Sequence, residues 1–410
     1  MMNNVMTIIL AGGRGERLYP LTKDRAKPAV PFGGIYRIID FTLSNCLNSH
    51  VRKINVFTQY KSISLDRHIK LGWNIFNNEL GEYINVIPPQ QRTSENWYMG
   101  TADAIYQNIY SIEAERPEHV MILSGDHIYK MNYEMMFRFH VEKNADVTVG
   151  GIEFDVAKAA RQFGILEINE DRRIIGFEEK PEHPKTIPGS PDKALSSMGI
   201  YIFKTDKLMR AVIEDTKKDS AHDFGKNIIP GMFKKDRVFA YLFVDENKKE
   251  VKYWRDIGTL DAYWEANMDL IEVTPVFNMY DKEWPLRTYQ EQHPPAKTVF
   301  AQEHKGGRVG AALDSIISAG CIISGGKVQR SILSPEVRVN SYSNVFQSIL
   351  MEGVNIGRHA KIKNAIIDKG VSIPEYAEIG YDLEKDRKHY TVTDSGIVVI
   401  PKGATVENDK

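Results

Sequence analysis

Residues 10–30 read LAGGRGERLYPLTKDRAKPAV, and the apolar run VMTIILA (5–11) leads into them. The run has the continuous apolar character of a strand buried on both faces, as in a parallel sheet. Three glycines, Gly12, Gly13 and Gly15, then fall among four basic residues, Arg14, Arg17, Lys23 and Arg25, that precede Lys27. Glycine lets backbone N–H groups approach an anion with no Cβ in the way. Arg14, Arg17 and Lys27 can then neutralise a polyphosphate, with arginine gripping it bidentately. Two familiar phosphate loops do not fit. A Walker loop needs Lys-Ser or Lys-Thr after its glycines, and a dinucleotide fingerprint needs G-x-G-x-x-G running into a helix. Here the residue three after Gly15 is Leu18, and Pro20 soon interrupts the chain. Taken alone, the loop reads equally well as a surface turn with solvated charges.

Outward from this loop, strand patterns recur at 54–58, 120–124, 146–152, 198–203 and 238–244, with helical patterns at 101–115 and 131–143. Such alternation predicts a mostly parallel sheet covered on both faces. Ligands bind such sheets beyond the carboxyl ends of the strands. The Gly12–Arg17 loop falls there, as does Gly125-Asp126-His127 after VMILS. From about residue 308 the pattern changes. Residues 321–380 (CIISGGKVQRSILSPEVRVNSYSNVFQSILMEGVNIGRHAKIKNAIIDKGVSIPEYAEIG) repeat β-branched pairs such as Ile322-Ile323, Ile332-Leu333, Ile349-Leu350 and Ile366-Ile367, separated by turn residues. This is an imperfect hexapeptide repeat, which predicts a parallel β-helix; an ordinary antiparallel β domain is the alternative. The expected division is 1–271 for the first domain, 272–307 for an extended, proline-bearing linker, and 308–410 for the β-helix with its tail.

Bulk properties narrow the function. A chain of 410 residues, 42% apolar and 26% charged, exceeds one ordinary domain. Its net charge of −1, without a long basic run, argues against nucleic acid as partner. The two cysteines, Cys46 and Cys321, form neither a disulfide framework nor a C-x-x-C metal site, which suits a reducing cytoplasm. No stretch approaches the ~20 apolar residues that span a bilayer.

Asp126 and Asp256 both lie on loops beside a glycine (Gly125, Gly258). Either alone reads first as a cap or turn residue. Together with a polyphosphate loop they suit Mg²⁺, which takes one or two carboxylates plus substrate phosphates. Lys180, in Glu179-Lys180-Pro181, can bind a second, monophosphorylated substrate, although most such lysines are solvated. Trp97 and Tyr98 precede a helix start and can pack on a base or sugar, or simply in the core. The set contains no nucleophile with a partnered base, and nucleotidyl transfer needs none. A sugar 1-phosphate oxygen is already anionic and can attack an α-phosphate in line once positioned.

The first loop resembles the start of the sugar-phosphate nucleotidyltransferases. YRIIDFTLSNCLNS, TQYKSISLDRHI, QQRTSENWYMGTADAI, SGDHIYKMNY, SSMGIYIF, AHDFGKNIIPGMF and YWRDIGTLDAYWEANMDL resemble the bacterial glucose-1-phosphate adenylyltransferases, and the likeness runs over nearly the whole chain. The resemblance implies a Rossmann-like nucleotidyltransferase domain followed by a left-handed parallel β-helix with a regulatory and oligomerising role. It implies Mg²⁺-dependent formation of ADP-glucose from ATP and glucose 1-phosphate, the first committed step of bacterial glycogen synthesis, by a cytoplasmic homotetramer under anionic effectors. It assigns the Gly12, Gly13 and Gly15 loop, Arg17 and Lys27 to ATP, and Asp126 and Asp256 to the metal. Tyr98, Gly164, Glu179, Lys180 and Ser197 fall to glucose 1-phosphate. Gln59 and Trp97 match positions that relay regulatory signals, and Arg25 and Arg37 are candidate effector cations. One departure stands out: Asp24 occupies the place of a lysine that helps enteric members bind a bisphosphorylated sugar activator. The alternatives are a pyrophosphorylase for another nucleotide, a non-catalytic regulatory subunit, or a β-helix with acyltransferase activity. The last has only about 75 residues of repeat and a lone His359 to support it.

Overall fold

A computed structural model of the chain describes residues 2–90, 97–302, 304 and 306–407; Asn96 of the Asn-Trp-Tyr motif and the five residues before it lie outside the described residues. The strands of the first part are β1 (Val5–Ala11), β2 (Pro31–Phe32), β3 (Tyr36–Arg37), β4 (Lys53–Thr58), β5 (Tyr83–Ile87), β6 (His119–Ser124), β7 (His127–Tyr129), β8 (Val147–Asp155), β9 (Gly164–Ile168), β10 (Ile174–Glu179), β11 (Lys193–Lys204), β12 (Val238–Leu242) and β13 (Trp254–Asp256). The main sheet runs β10-β9-β11-β6-β1-β4-β5, with β8 also on β11 and β12 on β8.

β1 sits at the centre because both its faces are apolar. Val5 and Ile9 enter one core with Leu43, Val56 and Leu65, whereas Met6 and Ile8 enter the other with Ile105, Ile112 and Leu208. The first core is closed by α1 (Ile38–Asn48), α2 (Ile63–Gly72) and α5 (Tyr133–Glu142), the second by α3 (Thr101–Gln107) and α4 (Ile109–Glu115). The helix expected over 101–115 is thus two helices. They break at Asn108, whose amide donates to the Ala104 carbonyl and to the Tyr98 hydroxyl, both at 2.8 Å.

The sheet is mixed. β1, β4, β5 and β6 are parallel, but β11 runs antiparallel to β6, β8 and β9, and β10 antiparallel to β9. A register shift between Ser197 and Tyr201 lets β11 serve β6 with one end and β9 with the other. The parallel group delivers three loops to one edge: Gly12 after β1, Gln59 after β4 and Gly125 after β6.

Residues 272–296 carry no helix or strand. From Lys297–Val299 onward, short strands stack in three parallel ladders. The register aligns Ile332 with Ile349 and Ile366, and Val328 with Val345 and Ile362, so that repeats 17 residues apart bury like residues against like. The corners need left-handed backbone, and stacked Gly353 (φ 72°) and Gly370 (φ 69°) supply it. This is the parallel β-helix expected from the repeat.

The two parts share one core. Leu18, Phe32, Ile38, Tyr263 and Leu270 pack with Ile332, Ile349, Met351, Ile366 and Val399 of the β-helix. The Trp264 indole N–H donates to the Gln347 carbonyl at 3.0 Å, and Arg330 pairs with Glu272 at 2.7 Å.

Candidate active site

The glycine loop after β1 is held from both sides. Gly15 has φ 63°, and a Cβ there would lie 3.0 Å from Thr22 Cγ2 and 3.1 Å from Lys27 Cβ. The Thr22 hydroxyl donates to the Gly15 carbonyl at 2.9 Å. Gly13 has nothing within 4 Å of a would-be Cβ, so its backbone is open to a bound group. Arg14 is exposed, with its guanidinium 5.0 Å from the Tyr60 ring centre. Tyr60 in turn stacks on Trp97, centroids 5.1 Å apart and planes 10° from parallel. Arg14 and Trp97 thus both pack on Tyr60, which with Arg14 lines the wall of the site. Gln59, at the end of β4, lies under the loop: a Cβ on Gly12 would be 3.1 Å from Gln59 Cβ.

The two carboxylates converge. Lys27 Nζ lies 2.7 Å from Asp126 Oδ2 and 3.2 Å from Asp256 Oδ1, and the Ser124 hydroxyl donates to Asp126. His127, which residue-type reasoning passed over, stands with Nε2 3.5 Å from Asp126 and 3.8 Å from Asp256. It arrives there because β7 pairs antiparallel with β13, with His127 opposite Asp256. Burial works to raise the Asp126 carboxyl, but Lys27 and His127 outweigh it and hold the group well below the usual carboxylate range. Burial likewise works to lower Lys27, and the two aspartates overcome it, so the ammonium stays charged. Gly258 admits Arg17: a Cβ there would lie 3.2 Å from the Arg17 guanidinium and 3.3 Å from Asp256 Oδ2.

One donor atom each from Asp126, His127 and Asp256 lies within 4.8 Å of the others. The two carboxylates offer hard oxygen donors beside the open loop, leaving further positions for phosphate oxygens. The spot already balances a positive charge, the Lys27 ammonium. The donor set therefore fits a divalent cation.

Across a cleft of about 680 Å³ from Gly12 and Gln59 stand Tyr98, Gly164, Glu179 and Ser197. Gly164 must be glycine here, because a Cβ would lie 2.6 Å from Phe177 Cζ and 2.9 Å from Glu179 Oε2. Lys180, next along, is exposed and holds φ 50° directly before Pro181. That backbone is rare for a lysine and further disfavoured before proline. Asp223, which no local pattern singled out, also lines the cleft and accepts the Thr101 hydroxyl at 3.0 Å.

Arg25 is not an open cation: its guanidinium donates twice to Asp368, both bonds at 2.9 Å, and is buried. Arg37 is half-buried and donates to Ser64 Oγ at 2.8 Å. Asp24 is exposed.

Comparison with known proteins accounts for both parts. Residues 6–273 match the nucleotidyl transferase family, and 294–400 match the GlmU-like C-terminal hexapeptide family. A glucose-1-phosphate adenylyltransferase of Rhodopirellula baltica is 58% identical over 99% of this chain and 92% of its own length. The chain belongs to the glucose-1-phosphate adenylyltransferases. Two further members, from Koribacter versatilis and Shewanella sp. (strain ANA-3), are 57% and 53% identical over 96% and 94% of their lengths. Nucleotidyltransferases of this family generally use a divalent metal, in keeping with the donor set around Asp126. Among the described residues no helix is long and apolar enough to cross a membrane.

Proposed function

We infer that this chain catalyses adenylyl transfer from ATP to glucose 1-phosphate, releasing pyrophosphate and ADP-glucose. The observation that carries the reading is the Lys27 ammonium between Asp126 and Asp256, with Asp126, the open glycine loop, Glu179 and Ser197 lining one cleft. An oxygen of the sugar phosphate attacks the ATP α-phosphorus. A new P–O bond forms as the bond to the β-phosphate bridging oxygen breaks, and pyrophosphate leaves. No general base is needed, because the attacking oxygen is already ionised.

The Gly12–Gly15 backbone, Arg17 and Lys27 bind and orient the triphosphate, and their charge offsets that of the leaving pyrophosphate. Glu179 accepts sugar hydroxyls, Lys180 meets the sugar phosphate, and Tyr98, Gly164 and Ser197 shape the pocket. Asp126 and Asp256 hold Mg²⁺, which when bound neutralises charge on the reacting phosphates. We assign the catalytic domain to 1–271, the linker to 272–307, whose strand Lys297–Val299 already pairs into the first ladder, and the regulatory and oligomerising β-helix to 308–410, in a cytoplasmic homotetramer. Gln59 carries effector signals to the loop it lies against, and Trp97 does so through Tyr60 and Arg14. Anionic effectors engage the seam between the two parts near Arg37 and Arg25, in exchange for the Asp368 carboxylate now paired with Arg25. A non-catalytic role is disfavoured because Arg17, Lys27, Asp126, Lys180 and Asp256 are all present.

Incubation of the purified chain with ATP and glucose 1-phosphate tests this. ADP-glucose and pyrophosphate should form in equal amounts with Mg²⁺ present and not after chelation. Equal turnover in excess chelator contradicts the metal assignment.

A further inference from the structure

Arg25 and Asp368 are 343 positions apart, yet Arg25 Nη2 donates to both Asp368 carboxylate oxygens, with side chains only 7% and 2% exposed. Asp368 follows the β-helix strand Ala365–Ile367, and its backbone N–H donates to the Ile400 carbonyl at 2.9 Å, so the ladder fixes its place. Arg25 stands two residues before Lys27, and the chain between and beyond them is stiff. Ala26, Ala29 and Val30 are buried, Pro28 restricts the backbone, and the turn closes with Ala29 N–H on Ala26 O at 2.9 Å and Val30 N–H on Lys27 O at 3.1 Å. A displacement of Arg25 is therefore passed to Lys27 rather than absorbed.

We propose that Asp368 is a positioning residue for adenylyl transfer: through Arg25 it holds the 25–27 segment so that the Lys27 ammonium meets the Asp126–Asp256 pair and the ATP phosphates. A residue of the β-helix thus sets the geometry of the nucleotide site without touching substrate. The inference rests on the reading of Lys27 as a phosphate ligand.

A double-mutant cycle tests it, with ATP affinity read by calorimetry in Mg²⁺ buffer and the glucose 1-phosphate KM read by assay. Asp368→Asn should weaken ATP binding about tenfold and leave the sugar phosphate KM unchanged; in a Lys27→Met background the same change should have less than about twofold effect. A purely structural role would lower melting temperature and weaken binding by the same factor in both backgrounds, and that result overturns the proposal. If Asp368→Asn does not fold, Asp368→Glu, which keeps the charge on a longer arm, goes through the same cycle with a smaller, equally Lys27-dependent effect expected. Weakened ATP binding in Lys27→Met with none in either Asp368 variant defeats this inference alone. Unchanged ATP binding in Lys27→Met defeats the phosphate role of Lys27, and this inference with it.

Discussion

The Lys27 ammonium lies 2.7 Å from Asp126 although 99 positions separate the two residues. The contact joins the loop after β1 to the loop after β6, neighbours in the sheet, and it concentrates opposite charge where a polyphosphate must be received. Asp126→Asn keeps the shape of that junction and removes its negative charge. Turnover should fall by about 10²-fold or more, because transfer without its metal forfeits several kcal/mol of charge stabilisation. Asp126→Ala should be as poor, with the far-ultraviolet circular dichroism of both unchanged. Near-normal turnover in either variant would remove the metal role.

Lys180 is held with φ 50° before Pro181 and follows Glu179, which lines the cleft. Lys180→Ala should raise the KM for glucose 1-phosphate about tenfold or more, with kcat nearly unchanged, since a contact made equally in ground and transition states acts on binding alone. A rise in the KM for ATP instead would exchange the two substrate sites.

What could be read without coordinates was local. The glycine loop, the aspartate after a buried strand and the imperfect hexapeptide repeat of aliphatic pairs all show within one or two elements of chain. The antiparallel course of β10 and β11 does not, because strand–helix alternation is read locally while pairing direction is set by distant partners. His127 reaches Asp256 only through the β7–β13 pairing. The Tyr60–Trp97 stack, the Thr101–Asp223 bond and the Arg25–Asp368 pair escape sequence reading for the same reason. Arg25 in particular has the sequence context of a solvent-facing cation, and only the β-helix packed against it shows otherwise.

His140, on α5, is buried with Nδ1 2.8 Å from Thr148 Oγ1 and its ring 5.1 Å from that of His119. Burial, with His119 and Lys204 adding positive charge and Asp146 only partly opposing them, lowers its pKa to about 3. Above the unfolded value near 6.5 the ring is neutral in both states and costs nothing. As pH falls from there toward 3 the unfolded chain takes up a proton that the folded chain refuses, so stability drops by something of the order of 3–5 kcal/mol. His140→Phe should flatten the fall in melting temperature between pH 7 and pH 4. Parallel curves for the variant and the parent would assign the acid sensitivity elsewhere.

Asp24 is an exposed carboxylate one residue from Arg25. At an effective dielectric near a protein surface, a carboxylate ~6–8 Å from a phosphate costs on the order of 2–3 kcal/mol per unit charge before salt screening. Asp24→Lys should therefore create or strengthen activation by fructose 1,6-bisphosphate and leave the unactivated rate about the same. Strong, equal activation of parent and variant would place residue 24 outside the effector's reach.

The most direct test of the account is nucleotide choice by the unmodified chain. Purified protein with Mg²⁺, glucose 1-phosphate and equal ATP and UTP should yield ADP-glucose in large excess over UDP-glucose, with pyrophosphate matching the sugar nucleotide formed. UDP-glucose as the main product, or no sugar nucleotide from either, would contradict it.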